Sequence, residues 1–323
     1  MALAPARRVL VALGGNAMTG PDGSASPDAQ TAAVILAMER VADLVAAGVD
    51  VVLTHGNGPQ VGNLLVKNEL AASVVPPVPL DWCVAQTQGT IGLLVLDALE
   101  AALARRGVHR QVATVVTRTR VDLDDPGFAS PTKPIGRYVS AEEAQRYIAL
   151  GQYWEDRRAR GWRRVVPSPE PREVLDAAAA ATLAAAGFVV VAAGGGGIPV
   201  VRDPAGVLRG VEAVCDKDLT AALLAHHLGV DALVIATDVE AAVLAYGTGD
   251  ARPLGHVDAV TLRGFAEAGN FASGSMGPKV EAALRFVEHG GRFAAITSLD
   301  HIADAAAGRA GTVVEPVAYP SLT

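Results

Sequence analysis

Residues 9–16 read VLVALGGN, a short apolar run that ends in two glycines and an asparagine. The same pattern of an apolar run followed by glycines recurs in residues 49–58, which read VDVVLTHGNG, and in residues 188–197, which read FVVVAAGGGG. Short runs that are apolar nearly throughout are typical of strands buried on both faces of a parallel sheet. We therefore predict an α/β fold in which glycine loops follow the strands.

Segments of helical period alternate with apolar runs along most of the chain, as in a mainly parallel sheet with helices packed on it. The expected strands are residues 9–13, 49–54, 112–116, 188–193, 232–237 and 292–297. The expected helices are residues 29–47, 60–70, 84–105, 173–186, 216–228 and 278–289. Residues 119–171 interrupt this alternation with polar, aromatic and proline-rich sequence. We expect them to form an inserted lid or protruding subdomain within a single domain that spans residues 1–323.

Composition and charge indicate a protein that acts on small molecules. Half of the 323 residues are apolar, and 34 acidic residues outnumber 27 basic ones, which gives a net charge of -7. This acidic balance does not indicate a basic surface that would bind nucleic acid or an anionic membrane. No apolar run is long enough to suggest a membrane span. The two cysteines, Cys83 and Cys215, lack the spacing of a disulfide framework or a metal site. We therefore expect a globular protein of the cytoplasm, with no metal bound by the chain itself.

Three glycine loops follow predicted strands, at the sheet edge where ligands of parallel sheets bind. Glycines allow backbone amides to approach an anion closely, and a helix N-terminus behind such a loop adds a favourable dipole. The three loops together favour a phosphate-bearing ligand, although each loop alone is equally consistent with a plain tight turn. The chain contains neither the GxxxxGKS/T nor the GxGxxG fingerprint. P-loop and Rossmann assignments therefore fail.

Lysine is rare in this chain, which has 23 arginines and only four lysines. Lys67 lies in a predicted helix and is expected to face solvent, whereas Lys133, Lys217 and Lys279 lie in the stretches SPTKPIG, CDKDL and GSMGPKV. An ammonium is a compact charge on a flexible chain, and phosphoryl transfer chiefly requires such neutralisation of charge. Asp216 and Asp218 flank Lys217, and a carboxylate beside lysines would keep them oriented and protonated. Asp216 is equally consistent with a plain helix N-cap.

Eight motifs span nearly the whole chain in one order: VALGGNAM, THGNGPQVG, AQTQGTIG, DPGFASPTKPIG, RRVVPSPEP, AAGGGGIPV, GVEAVCDKDL and FASGSMGPKVEAA. Together they resemble the motifs of the carbamate kinases, a branch of the amino acid kinase fold. The resemblance implies a three-layer αβα sandwich around a mainly parallel eight-stranded sheet, a protruding subdomain after the third strand, and a homodimer. It also implies the reaction of ATP with carbamate to give ADP and carbamoyl phosphate, with Mg²⁺ carried by the nucleotide, within arginine metabolism.

The resemblance also implies roles for residues at the matching positions. Lys133 would reach in from the lid. Lys217 and Lys279 would lie on either side of the transferring phosphoryl group, and Asp216 would organise both. The amides that line the phosphoryl and carbamate site would be those of Gly14, Gly15, Asn16, Gly56, Asn57 and Gly58. The residues along the nucleotide would be Gly195, Gly196, Thr237, Asp238, Val239, Tyr246, Met276, Gly277 and Pro278.

One departure from the lid motif leaves the phosphoryl acceptor open. KPIG is followed here by Arg137, Tyr138 and Val139, which places a permanent cation near Lys133. Its guanidinium would pair with the carboxylate of a larger acceptor, or would simply contact solvent or a second subunit. The alternatives are therefore a related kinase for another small carbamate or carboxylate, and a non-catalytic sensor of carbamoyl phosphate or nucleotide. A dehydrogenase is less consistent with the chain, because the glycine fingerprint after the first strand is missing.

Three further features have plain interpretations. We expect His55 to be a hydrogen-bonding loop residue, because phosphoryl transfer to an anionic carbamate requires no removal of a proton. We expect Cys215 in the core, since an apolar neighbour and the charge of Asp216 would raise the pKa of its thiol. The basic stretch of residues 157–164 is expected to be a solvated face of the subdomain rather than an RNA site.

Overall fold

Strands and helices alternate along most of the chain. The structure, a computed structural model, describes residues 6–20, 24–271 and 276–317. Within these residues the strands are β1 (Arg8–Leu13), β2 (Asp50–His55), β3 (Val112–Thr114), β4 (Arg118–Arg120), β5 (Lys133–Val139), β6 (Tyr153–Asp156), β7 (Trp162–Val166), β8 (Glu173–Val174), β9 (Val189–Val191), β10 (Ile198–Arg202), β11 (Leu208–Gly210), β12 (Ala232–Thr237), β13 (Val243–Leu244), β14 (Arg252–Pro253), β15 (His256–Asp258), β16 (Phe293–Ser298) and β17 (Thr312–Glu315).

Helices connect most of these strands. Within the same residues the α-helices are α1 (Pro27–Ala46), α2 (Gly58–Ala71), α3 (Leu80–Arg105), α4 (Pro126–Ala129), α5 (Ala141–Ile148), α6 (Ala177–Ala185), α7 (Lys217–Leu228), α8 (Ala259–Glu267), α9 (Met276–Glu288) and α10 (Ile302–Ala306). Short 3₁₀ helices lie at Gly15–Met18, Arg158–Arg160, Gly194–Gly196 and Leu299–His301.

The predicted strands are all present, with ends that shift by at most two residues. One predicted helix, residues 173–186, is wrong in its first turn. Glu173–Val174 instead pairs antiparallel with β4 as strand β8, and the helix begins only at Ala177. Just before that helix, a carboxylate oxygen of Asp176 accepts a hydrogen bond of 2.8 Å from the backbone N–H of Arg118. This tertiary pairing overrides the local helical period.

The large sheet has eight strands in the order β15-β17-β16-β12-β1-β2-β9-β3. Strand β1 lies in the interior of the sheet and pairs in parallel with β12 on one side and with β2 on the other. Among the described residues, the only antiparallel neighbours in this sheet are β16 and β17. The predicted mainly parallel eight-stranded sheet is therefore confirmed.

Helices cover both faces of this sheet, because successive side chains of a buried strand point to opposite faces. Val9, Val11 and Leu13 of β1 pack into a core formed with α1, α3 and α10. Leu10 and Ala12, on the opposite face, pack into a second core formed with α6, α7, α8 and α9. The predicted αβα sandwich is confirmed.

Helix α3 is the one described helix whose length and hydropathy would also suit a membrane span. In the fold it packs against α1, and Ile91, Val95 and Leu99 are buried in the first core. Core helices of globular proteins meet the same criterion, so this feature is weak support for a membrane location. The absence of a membrane span remains a prediction.

Smaller sheets lie outside the large one. Strands β5, β7 and β6 form an antiparallel sheet, with α5 packed against it. Strands β11, β10, β4 and β8 form a mixed sheet, in which β10 and β4 pair in parallel. The first of these sheets falls entirely within residues 119–171, the range predicted to be inserted. That this whole range acts as one unit remains a prediction.

Strand β5 packs against α2 at two glycines. A Cβ atom on Gly62 would lie 2.6 Å from the Cα atom of Gly136. Gly136 has a φ of 70°, which favours glycine, and the pairing of β5 with β7 shifts register between Ile135 and Tyr138. The contact holds β5, and with it Lys133 at the start of this strand, close to the helix that follows β2.

Replacement of Gly62 by alanine should lower the free energy of unfolding by about 1–3 kcal/mol, because a methyl group has no room there unless β5 moves. The matched control is Gly89→Ala in α3, where no atom beyond the backbone of the same helix and the two neighbouring residues lies within 4 Å of the added methyl group. There alanine should raise the free energy of unfolding by about 0.5–1 kcal/mol. Urea denaturation measures both changes. A change of the same sign and size in the two variants would contradict the proposed packing.

Candidate active site

A cavity of about 520 Å³ lies beyond the carboxyl ends of β1, β2 and β12. The parallel order of these strands brings together loops that are far apart in the sequence. Most of the residues predicted from the sequence line this cavity, namely Gly14, Gly15, Gly56, Asn57, Gly58, Lys133, Gly195, Asp216, Lys217, Thr237, Asp238, Pro278 and Lys279. Lys67, which was expected to face solvent, is exposed on α2.

The remaining predicted nucleotide contacts are not among the described residues that line the cavity. They are Gly196, Val239, Tyr246, Met276 and Gly277. The Tyr246 side chain is 80% exposed, and Met276 packs partly buried against the second core. The side chain of Asn16 lies outside the described residues. The roles assigned to all six residues remain predictions.

Charged side chains form one wall of the cavity. The Nζ atom of Lys279 donates to Oδ2 of Asp218 at 2.9 Å, and Nζ of Lys217 donates to Oδ1 of the same carboxylate. Nζ of Lys133 donates to Oδ2 of Asp216 at 2.7 Å. The side chain of Asp218 is 5% exposed, and those of Lys217 and Lys279 are 14% and 12% exposed. These charges therefore interact in surroundings from which most water is excluded.

Asp218, and not Asp216, is the carboxylate that holds Lys217 and Lys279, so the predicted organising role of Asp216 is wrong. Asp216 is the N-cap of α7, and its Oδ1 accepts from the backbone N–H of Asp218 at 2.9 Å. This leaves its Oδ2 to accept from Lys133. Asp216 is thus both an N-cap and a partner of a lysine, the two roles predicted for it. The lysine, however, is Lys133 and not Lys217 or Lys279. Asp218 was noted as a neighbour of Lys217, but the sequence analysis assigned the site role to Asp216 alone.

The buried charges shift one another's pKa values. Burial alone would raise the pKa of Asp218, but the ammonium groups of Lys217 and Lys279 outweigh this effect and lower that pKa to about 2. Burial lowers the pKa of Lys217, although the carboxylate of Asp218 opposes the change. Removal of one partner from such a cluster leaves buried charge without compensation, which is strongly destabilising. Asp218 therefore compensates the charges of both lysines in the cavity wall.

Three helices begin at this cavity. Gly58 starts α2, Lys217 starts α7, and Pro278 and Lys279 lie in the first turn of α9. The N-terminus of a helix carries partial positive charge and backbone N–H groups without helical partners. Such ends bind phosphate and other anions. Together with the lysines they make the cavity suited to a polyanionic ligand.

The four-glycine loop, residues 194–197, is fixed through its carbonyl groups. The carbonyl oxygen of Gly194 accepts from Nε2 of Gln88 at 2.9 Å. The carbonyl oxygen of Gly196 accepts from the hydroxyls of Thr119 and Thr220 at 2.8 and 3.1 Å. These buried donors hold the loop in one conformation, with Gly195 at the cavity wall.

His55 makes a hydrogen bond, as predicted, but it is buried as the last residue of β2 and does not lie in the loop. Its Nδ1 lies 3.0 Å from the carbonyl oxygen of Gly56 and donates to it. Burial lowers the pKa of His55 to about 4, and the nearby charge of Lys217 adds to this shift. The imidazole is therefore neutral at pH 7, with the proton on Nδ1.

Cys215 is buried, as predicted. Burial raises the pKa of its thiol to about 12, and the negative charge of Asp216 contributes to this shift. A thiol with this pKa holds its proton at neutral pH and is a poor nucleophile. Cys215 therefore lines the cavity without acting as a nucleophile.

Arg137 does not line the described part of the cavity. Its guanidinium donates to the carboxylate of Glu143, at the start of α5. The suggestion that Arg137 recognises the carboxylate of a larger acceptor is therefore not supported. It makes an exposed ion pair within the subdomain.

The protein side chains offer little to a resident metal ion. Within the described residues, no group of three or more His, Cys, Asp or Glu side chains has a geometry that could hold one. The two buried carboxylates of the cavity, Asp216 and Asp218, already accept hydrogen bonds from lysines.

Comparison with known proteins places the chain in a family. The description "Amino acid kinase family" matches residues 7–298, which include all the predicted site residues. The chain belongs to the amino acid kinase family.

Relatives of this amino acid kinase match it over nearly their whole length. Carbamate kinase of Thermococcus kodakarensis is 44% identical over 314 residues, which cover 95% of this chain and 99% of the relative. Carbamate kinase-like protein YahI of Escherichia coli is 45% identical and covers 94% and 97% of the two chains. The structure of carbamate kinase from Giardia lamblia bound to AMP-PNP superposes with a TM-score of 0.90 at 39% identity, over 96% of this chain and 98% of that one.

The buried, neutral His55 predicts that this amino acid kinase loses stability in mild acid. In the unfolded chain the imidazole has its ordinary pKa of about 6.5, whereas in the folded chain the pKa is about 4. Below pH of about 6.5 the unfolded state therefore binds a proton that the folded state does not, and stability is lost as the pH falls toward about 4. The total contribution is about 3 kcal/mol.

Urea denaturation from about pH 7 to about pH 4.5 tests this linkage. The free energy of unfolding should fall less steeply with pH in His55→Asn than in the wild type. The matched control is His109→Asn, which removes an exposed imidazole and should keep the wild-type slope. Identical slopes in all three proteins would show that His55 titrates alike in both states.

Proposed function

We propose that this amino acid kinase is a carbamate kinase, which reversibly transfers a phosphoryl group between ATP and carbamate and interconverts ADP and carbamoyl phosphate. One observation carries the proposal: Lys217 and Lys279 share the buried carboxylate of Asp218 in a cavity at which three helices begin. The relatives named carbamate kinase, such as the one 44% identical to this chain, support the same activity.

The reaction requires charge neutralisation rather than proton transfer. In the direction of ATP formation, the bond between phosphorus and the carbamate oxygen breaks, and a bond forms to a terminal phosphate oxygen of ADP. Carbamate leaves as an anion, so no base is needed. Lys217 and Lys279 stabilise the negative charge on the phosphoryl oxygens, and Asp218 holds both in place before the reaction begins.

The glycine loops position the substrates through backbone amides. Gly14 and Gly15, after β1, face the phosphoryl and carbamate groups together with the loop from Gly56 to Gly58. Gly195 and the Thr237–Asp238 turn face the nucleotide. Backbone N–H groups suit this role because they bind oxyanions without adding flexible side chains.

Lys133 reaches the cavity from the small three-stranded sheet. Its ammonium pairs with Asp216, and its side chain is 36% exposed, so it is the most accessible of the three lysines. Residues 119–171 act as a lid that carries this lysine over the bound substrates. Closure of such a lid excludes water and strengthens the electrostatic contacts within.

Mg²⁺ enters with the nucleotide, as the lysine-paired carboxylates suggest. The ion would be carried by the nucleotide and would supply further positive charge during transfer. The enzyme acts in the cytoplasm, as a homodimer, within arginine metabolism. Exposed apolar side chains such as Ile35, Leu36 and Leu93 on α1 and α3 are consistent with contact with a second copy.

Formation of ATP from ADP, Mg²⁺ and carbamoyl phosphate by the purified protein tests the activity, with acetyl phosphate as the matched donor. We expect kcat/KM to be at least about 100-fold higher for carbamoyl phosphate, because a site that hydrogen-bonds the NH₂ group rejects a methyl group. A preference for acetyl phosphate would indicate a related kinase with a carboxylate acceptor. Binding of ADP without turnover of either donor would indicate a sensor.

Replacement of Lys279 by alanine should lower kcat by roughly 10²–10³-fold with little change in the KM for ADP, because the lost charge acts mainly in the transition state. The matched control is Lys67→Ala, which removes an exposed lysine of α2 and should leave kcat unchanged. Steady-state kinetics of the two variants provide the comparison. If Lys279→Ala keeps kcat within about tenfold of the wild type, Lys279 has no part in the chemical step.

A further inference from the structure

A second, basic cavity lies on the small three-stranded sheet. It has a volume of about 300 Å³ and is lined by Pro134, Tyr138, Arg157, Arg160 and Arg163. Pro134 also lines the first cavity, so the two cavities have this residue in common. None of the three arginines belongs to the proposed catalytic site.

A tight turn between β6 and β7 gathers these arginines. The backbone N–H of Arg158 donates to the carboxylate of Asp156 at 2.8 Å, and Arg158 adopts a left-handed φ of 58°. Gly161 closes the turn with a φ of 88°, and a Cβ atom there would lie 2.7 Å from the carbonyl oxygen of Val139. A left-handed conformation at a non-glycine residue costs of order 1 kcal/mol and persists only where the surroundings enforce it.

The guanidinium groups at this cavity have too few anionic partners. Arg157 forms an ion pair of 2.5 Å with Glu155. Within the part of the chain that the structure describes, no carboxylate pairs with Arg160 or Arg163. The Nε atom of Arg163 is also buried without a hydrogen-bond partner. Three arginines and one glutamate leave a formal charge of +2 around one concave surface.

The ring of Tyr138 holds part of this cluster in place. The guanidinium of Arg163 lies over that ring, with 5.1 Å between its central carbon and the ring centroid. A hydrogen bond from Arg160 lowers the pKa of Tyr138, burial opposes the shift, and Arg163 adds to it. The phenol therefore reports on the net charge of the cavity.

We propose that this cavity binds a phosphate dianion, either free or as the end group of a phosphate monoester. A dianion matches the formal charge of +2, and planar guanidinium groups form paired hydrogen bonds with phosphate oxygens. The site depends on the subdomain alone and does not require the proposed kinase activity.

Titration of Tyr138 tests the proposal in the full-length protein. The tyrosines are labelled with ¹³C, and the Tyr138 resonance is assigned by its loss in Tyr138→Phe. Its pKa is then measured with added inorganic phosphate, glycerol 3-phosphate, or sodium chloride at the same ionic strength, with AMP-PNP and Mg²⁺ present to occupy the first cavity. Binding of a dianion should raise the pKa of Tyr138 in a saturable way, because the added charge offsets that of the arginines.

Two variants separate a built site from general screening. In the double variant Arg160→Gln/Arg163→Gln the phosphate-dependent rise should vanish, whereas Arg146→Gln, which removes an exposed arginine of α5, should keep it. Circular dichroism checks that each variant is folded. A response to inorganic phosphate alone identifies the free ion as the ligand, and a response to glycerol 3-phosphate as well extends the site to monoesters. The proposal is overturned if chloride has the same effect, if neither phosphate shifts the pKa, or if the double variant responds like the wild type.

Discussion

The charged cavity depends on the hydrogen bonds that Lys217 and Lys279 donate to the buried carboxylate of Asp218. Helices α7 and α9 pack against each other on one face of the sheet, and this packing brings Lys217 and Lys279 to the same side chain. A buried ammonium group without a partner would lose its proton or destabilise the fold. His55, which burial keeps neutral, adds no further positive charge beside Lys217. The cationic wall therefore results from one anion that satisfies two cations.

The parallel order of the central strands determines where this wall can act. Because β1, β2 and β12 run in the same direction, their carboxyl ends and the helices that follow meet at one edge of the sheet. Gly14 and Gly56 begin the loops after β1 and β2, and a Cβ atom on Gly56 would lie only 3.1 Å from the backbone nitrogen of Gly15. The two loops thus pack backbone against backbone, and both line the same cavity.

The sequence identified six of the eight strands of the large sheet but missed β15 and β17, and it did not identify the pairing of charges. Each of the six predicted strands has its own apolar signal, and β12 matches its predicted bounds residue for residue. The rarity of lysine also identified the three lysines of the cavity. By contrast, Asp216 and Asp218 both flank Lys217, so the local sequence does not show which carboxylate pairs with which lysine. The cap geometry of α7 decides this, together with the position of Lys279, which lies 61 residues after Asp218 in the chain. Short strands such as β8 gave no local signal, because their pairing is entirely tertiary.

The four consecutive glycines of residues 194–197 limit how this protein can change over evolutionary time. A Cβ atom at each successive position would lie between 2.0 and 2.4 Å from a different neighbour: His55, Asn57, Cys215 and Thr119 in turn. Because each position meets its own obstacle, no single compensating substitution would open the loop to side chains. Adaptation to a new substrate would therefore have to proceed through the subdomain and the cavity rim, while this loop stays as it is.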